Sequence, residues 1–86
     1  MHDSVLFEKT YQTVCALCES HSIKKVNEIK MAVSMDSHVD GPHMLNYFME
    51  RDNTLFGEWT NVIVEKRDIE KLTAIVESID GDEDND

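Results

Sequence analysis

The sequence predicts an α+β fold: two helices packed on one face of a three-stranded, mainly antiparallel sheet, in the order helix, strand, helix, strand, strand. Three observations lead to it. Apolar residues recur first at helical spacing, the period then switches to two, and two later segments are rich in β-branched residues.

Over residues 4–21, Phe7, Tyr11, Val14 and Cys18 recur at steps of four, three and four, which is one helical face, and Asp3 or Ser4 can cap its start. Glu19 and His21 are expected to fix the turn out of this helix. Ile29, Met31, Val33 and Met35 then alternate with Glu28, Lys30, Ala32, Ser34 and Asp36, as in a strand with one buried face. Asp40-Gly41-Pro42 is a turn and helix-start signal, because proline is tolerated in a first helical turn. Met44, Leu45 and Phe48 give a short second helix that should end near Asp52-Asn53. Segments 59–66, containing Val62-Ile63-Val64, and 72–79 read as strands joined in a hairpin by the charged turn 66–71. Trp59 and the methionines are expected in the core.

Eighty-six residues suit one small domain, read as residues 1–79, with little room for a large enclosed cleft. At this size a metal, a partner or self-association often adds stability, so a homo-oligomer is one expectation. The composition, 41% hydrophobic and 30% charged, is that of a soluble globular chain. No apolar run approaches the roughly 18 residues of a membrane span, and no signal peptide is seen. A net charge of -10 argues against general nucleic-acid binding and favours basic partners or cations. Residues 80–86 hold five acids and no base, which predicts a disordered, solvated tail. Cys15 and Cys18, in C-x-x-C spacing within a helix, do not readily form a structural disulfide, and the expected compartment is a reducing cytoplasm.

The opening residues carry the sharpest chemistry. A free Met1 amine, the backbone nitrogen of His2 and the His2 imidazole branch from adjacent atoms, so they can chelate one ion through small fused rings. Such a planar nitrogen set suits square-planar Ni(II) or Cu(II) better than tetrahedral Zn(II). The Asp3 amide or a carboxylate from elsewhere would complete the fourth corner.

Met1-His2-Asp3 recurs in concert with Glu19, His21, Ile23, Lys24, Lys25 and Val26 at the first helix end, an acidic Asp40 before the second helix, and the aromatic Phe48 within it. Over some fifty residues this pattern resembles the nickel-binding domain of the HypA/HybF metallochaperone family. The resemblance implies the same fold and Ni(II) as cargo during maturation of nickel-iron hydrogenase or urease. It implies a HypB-type GTPase and the nickel enzyme's large subunit as partners, and no catalytic activity. The implied donors are the Met1 amine, the backbone and imidazole nitrogens of His2 and the backbone nitrogen of Asp3, with Asp40 as an outer ligand or a hydrogen-bond partner of His2.

Two departures stand against this pattern. Family members usually carry a zinc ribbon of two C-x-x-C pairs between the last two strands, where this chain has only the short turn around Asp68, so no structural zinc is expected. The family's Ile-Gly-x-Leu segment reads Val33-Ser34-Met35-Asp36. A HypA-like interaction or adaptor module that has lost metal delivery is therefore the rival function.

Each site residue also has a plainer reading. Asp40 before Gly-Pro is an ordinary helix cap. His38 and His43 flank the same turn as surface histidines or as extra imidazole donors. Cys15 and Cys18, with His21 a turn along, are helix packing or a thiol-imidazole site, and they lack the helix-start position of redox pairs. No nucleophile-base constellation or phosphate-binding glycine loop points to an enzyme.

Overall fold

The computed structural model describes residues 3–83, which form α1 (Asp3–Ser20), β1 (Ile23–Ser34), α2 (Gly41–Arg51), β2 (Asn61–Arg67) and β3 (Ala74–Glu83). The two helices cover one face of the sheet, as the sequence predicts, but the strand order is β2-β1-β3. The sheet is mixed: β1 pairs with β2 in parallel, from Glu28 with Asn61 to Ser34 with Arg67, and with β3 antiparallel. The expected hairpin is thus corrected. Because β2 and β3 lie on opposite edges, the connection after Arg67 steps across the end of β1 and does not fold back on its own strand.

Strand β1 begins at Ile23, ahead of the alternation that starts at Glu28. Its register with β3 shifts between Ile23 and Lys25, between Val26 and Glu28, and between Lys30 and Met31. An irregularity adds a residue without changing the face, so Ile23, Val26 and Ile29 are all buried although they stand three apart. On the side toward β2 this first half has no strand partner. Its backbone is satisfied instead by the loop before β2: Val26 N–H donates to the Leu55 carbonyl at 2.9 Å, and the buried Thr60 hydroxyl donates to the Val26 carbonyl at 2.7 Å.

Strand β3 runs on to Glu83, so the expected tail is corrected at its start. Asp80, Gly81, Asp82 and Glu83 pair with Glu28, Val26, Lys25 and Ile23. A Cβ on Gly81 would run into the Lys25 carbonyl oxygen, so this close approach needs glycine. Residues 84–86 lie outside the described part.

The core joins α1, α2, the sheet and the 52–60 loop. Leu6, Thr10, Val14 and Cys18 form the buried stripe of α1, with Phe7 and Tyr11 packed beside it. Thr10 fits there because its hydroxyl donates to the Leu6 carbonyl at 2.7 Å. Met44 and Phe48 of α2 are fully buried, and Phe48 meets the loop residue Phe56 with ring centroids 4.8 Å apart. Trp59 corrects the expectation of a core position: it is 44% exposed, laid across Gly57 with the Lys25 ammonium 4.8 Å from its ring. Among the methionines, Met31 and Met44 are core, whereas Met35 falls just beyond β1 and is exposed. Among the described residues no helix is long and apolar enough to cross a membrane.

Candidate metal site

Met1 and His2, the centre of the expected chelate, lie outside the described residues, and Asp3 is the first residue of α1. The fold brings the start of α1 beside the turn that follows β1. Leu6, Ser34, Asp36, Ser37, His38, Lys71 and Leu72 line one pocket of about 320 Å³. The turn is built locally. Ser37 N–H donates to the Ser34 carbonyl at 3.0 Å, the Ser34 and Ser37 hydroxyls accept from the N–H groups of Asp36 and Val39, and the Lys66 ammonium holds the Ser37 carbonyl. With Val39 anchored in the core, His38 is left exposed.

Asp40 takes the cap role. Its backbone is extended (φ -130°, ψ 168°), and its Oδ1 accepts the His43 N–H at 2.9 Å, satisfying one of the free donors at the start of α2. The His43 ring returns across the carboxylate, with Nδ1 2.9 Å from Oδ1 and 2.8 Å from Oδ2. The His43 backbone N–H and then its ring hold the Asp40 carboxyl below its ordinary range. Oδ1 carries the cap and Oδ2 meets only the His43 ring, so a metal on Oδ2 would compete with that ring. Gly41 follows because a Cβ there would collide with the Val62 carbonyl oxygen where α2 crosses β2. Among the described residues no three His, Cys, Asp or Glu side chains stand together in a way that holds a metal.

Glu19 and His21 act through their backbones. The His21 N–H donates to the Leu17 carbonyl at 3.0 Å, the Ser22 N–H to that of Glu19 at 3.4 Å, and Ser22 itself makes the turn with φ 58°. Cys15 and Cys18 are free thiols one helical turn apart, and both line a cavity of about 380 Å³ with Glu19, Ser22, Lys24, Asp52 and Thr54. Burial pushes the Cys18 thiol up to about 11 and raises that of Cys15 as well. Both shifts keep the free thiolate scarce near neutrality, which sets the pair apart from the low-pKa thiols of redox C-x-x-C motifs.

One cluster was invisible in the sequence. Glu8 of α1 accepts from the Tyr47 hydroxyl at 2.5 Å, from Arg51 Nε at 3.2 Å and, on its other oxygen, from Gln12 at 3.0 Å, while Arg51 lies 3.9 Å from the Tyr47 ring centroid. The Tyr47 bond, with the others, holds the Glu8 carboxyl low. The four-residue spacings of Glu8 with Gln12 and of Tyr47 with Arg51 are legible in sequence, but their meeting across two helices is not. It fastens α1 to α2 and engages both Glu8 oxygens.

Comparison of the chain with protein-family models, with curated proteins and with solved structures found no match.

Proposed function

We propose that the chain is a cytoplasmic nickel-carrying domain that takes Ni(II) as cargo at Met1, His2 and Asp3 and passes it on by ligand exchange during maturation of a nickel enzyme. The observation that carries this reading is the Met1-His2-Asp3 run, whose third residue opens α1. The pocket shared by Leu6, Asp36 and His38 supports it, because it puts an imidazole and a carboxylate on the surface beside the first turns of that helix. Terminal donors can be reached by an acceptor's ligands without unfolding the core. Ionised backbone nitrogens would also offset the cation's charge beside a helix N-terminus, whose partial positive end disfavours cations. Asp40 enters as a hydrogen-bonding carboxylate already shared with the His43 ring. A HypB-type GTPase and a hydrogenase or urease subunit are the partners this reading takes from the family resemblance.

The test is titration of protein with an authentic Met1 amine by Ni(II), followed by calorimetry and by the visible absorption of square-planar Ni(II). One tight equivalent, lost in His2→Ala with helix content unchanged and weakening in acid as protons compete for the nitrogens, is expected. Nickel affinity unaltered in His2→Ala would sink the site. One observation favours the adaptor reading: the connection after β2 is only a short step across the end of β1, with no ribbon. Partner affinity indifferent to nickel and to His2→Ala would select that reading.

A further inference from the structure

We propose that Cys15 and Cys18 form a second metal site, a two-coordinate bis-thiolate for a soft monovalent cation, Cu(I) or Ag(I), distinct from the terminal nickel site. Residues three apart on a helix have Cβ atoms roughly 5–6 Å from each other. Two metal–sulfur bonds of about 2.3 Å, the zinc–thiolate length, laid end to end span about 4.6 Å, close to that Cβ separation, so two thiols at this spacing can share one ion. The thiols are free and both line the same cavity of about 380 Å³, where Cys15 is half-buried and Cys18 buried, so an ion reaches the pair from the Cys15 side.

The donor set selects the ion. Thiolates favour soft metals. Among the described residues no third His, Cys, Asp or Glu completes a three-ligand group with them, so the site suits an ion content with two ligands. Asp52 lines the cavity, but its Oδ1 is held by the Thr54 N–H, the Thr54 hydroxyl and the Leu55 N–H at 2.8–3.0 Å. It therefore draws the cation in by its charge. On binding, the two S–H bonds break, two protons leave to solvent, two metal–sulfur bonds form and no electron is transferred. The complex carries one net negative charge; Lys24 on the same cavity wall counters it, against Glu19 and Asp52.

The experiment is titration of the full chain with Ag(I), against a competing chelator and followed by ultraviolet thiolate-to-metal absorption, with X-ray absorption to count sulfur neighbours. One Ag(I) per chain with two sulfur neighbours is expected, unchanged in His2→Ala, so its fate is separate from that of the nickel site. Cys15→Ser, at the less buried thiol, should weaken binding by more than about 100-fold, beyond the 10- to 100-fold typical of losing an outer-shell partner. Cys18→Ala should do the same, with circular dichroism checking that loss of a core side chain leaves the fold intact. A single sulfur neighbour, two chains per ion, or Ag(I) affinity retained in Cys15→Ser would overturn the proposal.

Discussion

Strand β1 has two faces made from the same backbone, and they differ in what holds them. Toward the helices, Val26, Ile29, Met31 and Val33 are fully enclosed. On the other face, Lys30 stands near Glu65 at 3.8 Å, and Arg67 bridges Glu65 and Glu77, all within reach of water. Each enclosed aliphatic side chain contributes about 1.5–3 kcal/mol relative to exposure. Exposed ion pairs contribute about 0–1 kcal/mol, because water screens the attraction and ordering the side chains costs entropy. The comparison teaches that charge pattern on this sheet marks the solvent side, while the fold is held from beneath.

The largest effect should come from the enclosed side. Phe48→Ala removes a ring that is fully buried against Phe56 and Tyr11 and should cost about 3–5 kcal/mol in denaturant unfolding. A loss below about 1 kcal/mol would break the comparison. The cap that seats α2 over this core comes next: Asp40→Ala should cost about 1 kcal/mol near neutral pH. The Asp40 carboxyl is held below its unfolded value, so its contribution is complete above about pH 3.9 and fades as pH falls through the folded value. The stability gap between wild type and variant should close in acid, and a gap that widens there would contradict the assigned hydrogen bonds. Smallest should be Arg67→Ala on the open face, within about 1 kcal/mol and shrinking further in high salt. A larger, salt-insensitive loss would mean that this face is covered.

The candidate site was legible only in part. Asp40 as the start of α2 could be read from the dipeptide that follows it, because a cap is a bond made within three residues. The pocket joining Leu6 to Asp36 and His38 could not, since it depends on where the turn after β1 lands beside a helix begun some thirty residues earlier. Glu8, Tyr47 and Arg51 were missed for the same reason. Phe56 was missed as core because it lies in a loop, where no period announces a buried face.

What the sequence determined by itself was local: the two helices, the apolar face of β1 from Ile29 onward, the cap and end of α2, and β-branched runs that became β2 and β3. Each follows from spacing within a few residues, where side-chain direction is set by the backbone period. Tertiary structure decided which edge each strand took, the extension of β1 back to Ile23 and the recruitment of Asp80 through Glu83 into β3. It also decided why position 41 is glycine, since the demand comes from a β2 carbonyl some twenty residues away. Backbone hydrogen bonds between distant strands and close approach of one element to another depend on three-dimensional placement, and local patterns of charge and hydrophobicity do not encode it.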